Sequence, residues 1–192
     1  MLILASQSPR RQELLERAGI PFIIRAANIR EERMAGEDPG AYVCRLAREK
    51  AESVPRAAGE IILGADTVVV AGDDVLGKPA GAENAAGMLR RLSGCEHEVV
   101  TGICLRASHH LIVDKESTRV RFVKLSEAEI AAYVASGEPM DKAGAYAIQG
   151  LASKFIDRVE GCYFNVVGLP VALVWRRLKE LAAAAALESV KL

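Results

Sequence analysis

Leu2-Ile3-Leu4-Ala5-Ser6-Gln7-Ser8-Pro9-Arg10-Arg11 is the stretch from which the fold is read. Residues 2–5 form a short apolar run of the kind that makes a buried strand. Ser8-Pro9 has the residue types of a helix start. A hydroxyl stands at the N-cap, and a proline follows at the first helical position, where its missing N–H is no loss. Leu14, Leu15 and Ala18 supply the apolar stripe of that helix, and Gly19 ends it. Strand, tight turn and helix N-terminus outline an anion site, because free N–H groups and the positive end of the helix dipole meet there. Ser6 and Ser8 add hydroxyls at that point, and Arg10 and Arg11 add guanidiniums suited to phosphate oxygens. A plain N-cap with solvated arginines is the bland alternative, and composition leaves the two even. Arginines in a first helical turn oppose the dipole, a conflict that a bound anion would relieve.

Outward from this unit, residues 21–26 read as a second strand and 28–40 as a polar loop. A helix is expected over 41–53. Residues 60–65 and 68–71 are strand-like, with a turn at Gly72-Asp73-Asp74. Residues 82–92 are helical, 98–105 and 111–124 form a long hairpin pair, and Ser126 with Glu129 makes a capping box for a helix through Ala135. A glycine-containing loop over 140–150, a strand over 154–159 and a last helix from Pro170 complete the chain. Strands and helices alternate early and strands cluster later. That order predicts an α/β protein with a mixed twisted sheet and flanking helices.

The bulk numbers narrow the function. The 192 residues suit one large domain or two small lobes sharing a core. The formal net charge is zero, so no global basic field holds nucleic acid, and anion binding must come from local clusters. Cys44, Cys95, Cys104 and Cys162 show no metal-finger spacing. They read as buried free thiols, which suits a reducing compartment and a cytoplasmic protein. Neither a signal peptide nor an apolar run of membrane-spanning length is expected.

Five further places could carry chemistry. Val43, Leu46, Ala47 and Lys50 fall on one helical stripe, so Lys50 either snorkels to an edge or reaches a phosphate. Asp66-Thr67 interrupts two apolar runs, Ile61-Ile62-Leu63 and Val68-Val69-Val70. An unpaired buried carboxylate is costly, so Asp66 needs a cation, a metal or strong donors, and function is favoured over a structural ion pair. Lys78, in Gly77-Lys78-Pro79, closes the hairpin after Asp66 and could share one end of the sheet with it. Gln149, in the loop Asp141-Lys142-Ala143-Gly144-Ala145-Tyr146-Ala147-Ile148-Gln149-Gly150, offers a donor and an acceptor to a base edge, although a surface loop is the plainer reading. Glu31 and Glu32 read as a charged loop or as metal ligands. His97, His109 and His110 are expected at the surface or at strand ends, and Trp175 with the leucines of the last helix in the core.

Residues 6–11, Gly64-Ala65-Asp66-Thr67, Gly77-Lys78-Pro79 and residues 143–150 occur in one order. As an ordered set they resemble the Maf family of nucleotide pyrophosphatases, over nearly the whole chain as a single Maf-type domain. Residues 45–51 and Val167-Gly168-Leu169-Pro170 also look like that family. The resemblance implies an α/β fold shared with the inosine-triphosphate pyrophosphatases, with two lobes around a nucleotide-holding cleft. It makes Asp66 the proton acceptor and places Ser6, Arg11, Glu31, Lys50 and Lys78 at the active site. Arg10, Thr67 and Gln149 match positions linked to substrate choice, and their identities look like the branch acting on dTTP and UTP. A divalent cation, Mg2+ or Mn2+, near Asp66 and Glu31, a nucleoside triphosphate substrate and a homodimer are implied too. The alternative is a nucleotide-binding regulator of cell division without turnover.

Overall fold

The structure, a computed structural model, describes residues 1–189. Its elements are β1 (Leu2–Leu4), α1 (Pro9–Arg17), β2 (Phe22–Ile24), α2 (Pro39–Ser53), β3 (Ile61–Ala71), β4 (Asp74–Leu76), α3 (Ala82–Leu92), β5 (Glu96–Arg106), β6 (Leu111–Phe122), α4 (Glu127–Ala135), β7 (Ile156–Glu160), α5 (Tyr163–Val167) and α6 (Val171–Ser189). Strand order in the seven-stranded sheet is β2-β1-β3-β5-β6-β7, with β4 pairing to β3. The sheet is mixed, as expected. β1 runs parallel to both β2 and β3, while β3–β4 and β6–β7 are antiparallel.

The chain divides into two compact units that interleave in sequence. The first holds Met1–Asp66, Thr101–Glu116 and the chain from Gly168 onward. Its core gathers Ile3, Ala5, Ala47, Ala51, Val54, Ile62 and Cys104, all within 2% of full burial. Two glycines bring α2 onto the sheet. A Cβ on Gly64 would stand 2.0 Å from the Ala47 carbonyl oxygen, and one on Gly102 2.4 Å from that of Val43. The helix backbone therefore lies directly against the strands, closer than any side chain allows.

The second unit holds Thr67–Val100 and Ser117–Val167. An aromatic cluster centres it. Phe122 meets the edges of His97 at 5.1 Å and Tyr146 at 4.9 Å, and Phe155 packs on Tyr133 at 5.6 Å. The capping box at Ser126 and Glu129 is present with both of its bonds.

Several expectations are corrected. Residues 60–65 and 68–71 are one continuous strand, β3, since Asp66-Thr67 is accommodated without a break. α2 begins at Pro39, because Asp38 accepts the Ala41 N–H and caps it two residues earlier than the apolar pattern shows. The 140–150 loop contains two short 3₁₀ turns, and α5 has no counterpart in the sequence reading. His97 stands at a strand end, the start of β5, as one of the two expected placements had it, but it is buried there. Cys95 is exposed, while Cys104 is buried, and all four cysteines are free thiols. Trp175 is 51% exposed, not core. It lies on the α6 face with Ala172, Arg176 and Lys179, opposite the buried Leu173, Val174 and Leu181. Helical phase, not residue type, sets its side.

Candidate active site

The site of the first unit starts from strand register. β1 and β3 are parallel with Leu4 opposite Leu63, and the Ala5 N–H donates to the Leu63 carbonyl at 2.8 Å. Continuing that register brings Ser6 level with Ala65, one residue before Asp66. Arg11 joins them: its Nη1 donates to Ser6 Oγ at 3.2 Å and to the Ala65 carbonyl at 2.8 Å, and its Nε to the Gly168 carbonyl at 2.8 Å. Arg11 is buried, and burial pushes its pKa down while Asp66 and Glu31 pull it up. The guanidinium therefore brings positive potential to the middle of β3 and also cross-links three chain segments there.

Ser8 departs from expectation. It stands at the N-cap with extended backbone, but its side chain makes no capping bond. Its own N–H donates to Ser6 Oγ at 3.2 Å instead. Ser6 is thus the organising hydroxyl of the turn. Arg10 follows on α1, half-buried.

Lys50 and Asp66 meet because of Gly64. Residues 64 and 66 share one face of β3 by the two-residue pleat, and Gly64 is where α2 touches the strand. Lys50, one turn beyond Ala47 on α2, is then in reach. Its Nζ donates to Asp66 Oδ1 at 2.6 Å, and Glu31 Oε1 lies 2.7 Å from the same nitrogen. Asp66 and Lys50 are each 7% exposed. Burial raises the Asp66 pKa above its ordinary value. Lys50 and then Arg11 pull it back, and Glu31 adds a further upward push. The outcome is a desolvated carboxylate of raised basicity, held in one orientation by an ammonium.

Glu31 sits in an irregular segment that is itself pinned to α2. Arg45 carries the pin. It donates to Glu37 Oε1 at 2.7 Å and Oε2 at 2.8 Å, to Glu49 Oε1 at 3.0 Å and to the Glu32 carbonyl at 2.9 Å. The Tyr42 hydroxyl donates to the Glu31 carbonyl at 3.4 Å. Arg45 holds Glu37 down to a pKa of about 2. Arg45, Glu37 and Tyr42 carry no role in the sequence reading. The available signal was a charged residue five positions before Lys50 on the same helix, with acidic residues in the preceding loop.

Lys78, Thr67 and Gln149 belong to the second unit. Thr67 is half-buried and follows Asp66 on β3. Lys78 is exposed between β4 and α3, and Gln149 is exposed on a turn. Their two segments are tied together, since the Gly144 N–H donates to the Gly77 carbonyl at 3.1 Å. Gly144 has a φ of 66°, and a Cβ there would meet Val69 Cγ2 at 2.8 Å, so both its backbone and its contact require glycine.

Among the described residues no group of three His, Cys, Asp or Glu side chains could hold a metal alone. Two carboxylates, Asp66 and Glu31, already converge on one cationic group, the Lys50 ammonium. Paired hard oxygens suit a Mg2+ or Mn2+ ion, which is commonly held by one or two carboxylates together with substrate phosphates. The donor set fits such an ion.

Comparisons with known proteins add to this geometry. The model of the family described as Maf-like protein matches residues 1–181. A Koribacter versatilis protein named dTTP/UTP pyrophosphatase is 52% identical over 179 residues, covering 93% of each chain. A protein of the same name from Anaeromyxobacter dehalogenans strain 2CP-C is 53% identical over 175 residues, 89% of each. The fold resembles the solved structure of the Staphylococcus aureus Ham1 protein at a TM-score of 0.52, with 13% identity, covering 93% of this chain and 98% of that one.

Proposed function

This chain belongs to the Maf-like protein family, and on that premise we propose that it hydrolyses dTTP and UTP to the monophosphate and pyrophosphate. Relatives about half identical over nearly their whole length bear that activity in their names. The observation that carries the chemistry is the buried Asp66 carboxylate, bonded to Lys50 and accompanied by Glu31 and Arg11.

In this reading Asp66 orients a water molecule and takes its proton. The water oxygen forms a bond to the α-phosphorus, the bond from that phosphorus to the α–β bridging oxygen breaks, and the electron pair leaves with pyrophosphate. The raised basicity of a desolvated carboxylate suits it to that proton at neutral pH. Lys50 keeps Asp66 in one rotamer and neutralises it before substrate arrives. Arg11, Lys78 and the first-turn N–H groups of α1 neutralise phosphate charge, with Ser6, Ser8 and Arg10 beside them. Asp66 and Glu31 would hold the divalent cation, whose contribution when bound is to neutralise phosphate oxygens. Gln149 and Thr67 test the base, because a base that covers the Gln149 amide without pairing with it forfeits ~1–3 kcal/mol.

The reading also takes the protein as a cytoplasmic homodimer that binds neither nucleic acid nor membrane. The net charge of zero and the four free thiols support parts of this, and no described helix is long and apolar enough to cross a membrane. A panel of triphosphates, scored for monophosphate and pyrophosphate with and without Mg2+, tests the activity. Preferential release from dTTP and UTP is expected. Binding without release from any triphosphate would leave a nucleotide-binding regulator in its place.

A further inference from the structure

Gln149 lies on a four-residue turn closed by the Gly150 N–H, which donates to the Ala147 carbonyl at 3.1 Å. Both flanks of this turn are held by two side chains that the mechanism does not use. The Tyr133 hydroxyl accepts the Ala147 N–H at 3.2 Å and donates to Glu138 Oε1 at 2.8 Å. Glu138 Oε2 accepts the Leu151 N–H at 3.0 Å. An unbroken relay therefore runs from Ala147 through Tyr133 and Glu138 to Leu151, and it brackets Ile148, Gln149 and Gly150.

Gly150 completes the device by its missing side chain. A Cβ there would stand 2.3–2.6 Å from the Glu138 carboxylate atoms. Its φ is −105°, so the constraint is close approach, not backbone freedom: a side chain there would push the Glu138 carboxylate out of the relay. Glu138 is steadied from behind by Lys142 Nζ, which donates to its main-chain carbonyl at 2.5 Å. Tyr133 is 3% exposed and packs against Phe155, so the relay is rooted in the core of its unit.

We propose that Tyr133 and Glu138 are positioning residues for base selection: they fix the turn that presents Gln149 and so set the preference for pyrimidine over purine triphosphates. The inference rests on the reading of Gln149 given above. An amide discriminates between bases only while its donor and acceptor stay in place. A turn free to shift would let the same amide satisfy a different base edge.

Pyrophosphate release from dTTP and dGTP is measured for the full chain and for Tyr133→Phe, Glu138→Ala, Glu138→Gln and Gln149→Ala, with hydrogen exchange of the Ala147 and Leu151 amides followed in each. Tyr133→Phe and Glu138→Ala are expected to lower the dTTP-over-dGTP ratio of kcat/KM about tenfold and to speed exchange at both amides. Glu138→Gln can still accept the Leu151 N–H while donating to the Tyr133 hydroxyl, and should keep most of the ratio. A merely structural role would depress both nucleotides alike and leave the ratio unmoved. If the ratio stays constant in Tyr133→Phe and Glu138→Ala but falls in Gln149→Ala, the inference is overturned and the proposed function stands. If Gln149→Ala also leaves it constant, the reading of Gln149 is overturned together with the inference.

Discussion

Lys50 Nζ lies within hydrogen-bonding distance of two carboxylates, Asp66 and Glu31, and the three charges fix one another's behaviour. Burial raises the Asp66 pKa, Lys50 opposes the rise and Glu31 adds to it. If Asp66 is the base, as we propose, it must be ionised to act, and the acid limb of kcat/KM follows that pKa. Lys50→Met removes the opposing charge, so the limb should move to higher pH. Glu31→Gln removes a repelling charge, so the limb should move to lower pH. Profiles of pyrophosphate release against pH check both signs, and a limb that stays put in both variants would detach it from Asp66. Two of these residues were legible in the sequence for stated reasons. Lys50 interrupts an apolar stripe, and Asp66 is a costly carboxylate between apolar runs. Glu31 read from its residues alone as a charged loop or a metal ligand, and only the resemblance singled it out from Glu32, because its placement depends on the pins from Arg45 and Tyr42 and a loop held by side chains leaves no periodic trace.

The element that builds the site is α2, and its approach to the sheet is set by Gly64 and Gly102. Gly64→Ala forces a Cβ to within 2.0 Å of a helix carbonyl, which is backbone and cannot swing aside. The variant should lose ~1–3 kcal/mol in urea denaturation, as overpacked sites do. Its pyrophosphate release at temperatures where it is fully folded should fall further still, because the same displacement draws Lys50 from Asp66. Retention of full activity would remove the helix–strand spacing from the account. Arg45→Ala acts on the neighbouring segment: it should lower folding stability by the lost Glu37 ion pair and should lower activity, through Glu31, even where the variant is fully folded, as unfolding curves and pyrophosphate release will show together. Helices with clear signals were well placed by sequence: α3 and the capped α4 have their expected limits. Elements without periodicity were not. β3 reads as two runs because Asp66-Thr67 breaks the pattern, yet the strand continues, since backbone pairing is indifferent to a polar side chain that finds a cation.

At the scale of the whole molecule, pH should act on stability through a residue that the proposed chemistry does not use. His97 is buried among Phe122 and Tyr146, its Nε2 2.8 Å from the Tyr146 hydroxyl, and burial pushes its pKa down to about 4. The unfolded chain takes up a proton near pH 6.5, while the folded protein does not until about pH 4. The stability this residue confers is complete above 6.5 and is lost as pH falls from there to about 4, by roughly 3 kcal/mol. Urea unfolding between pH 7 and 5 should show this slope in the native protein and a flatter one in His97→Gln. Equal slopes would remove His97 as the titrating group. Glu37 and Glu60, each held down to about 2 by an arginine, act in a separate and lower window. Their stabilisation is present above their ordinary pKa and disappears as pH falls through about 2.

The alternation of strands and helices gave the mixed α/β architecture, but not the way two units are assembled from interleaved segments. No shift in composition marks those boundaries, because one apolar pattern serves both cores. The central claim is that a single buried carboxylate is the base. Its most direct test is the rate of pyrophosphate release from dTTP by Asp66→Asn, with dTTP binding measured alongside. The account predicts binding retained and release lowered roughly a thousandfold; release at the native rate would contradict it.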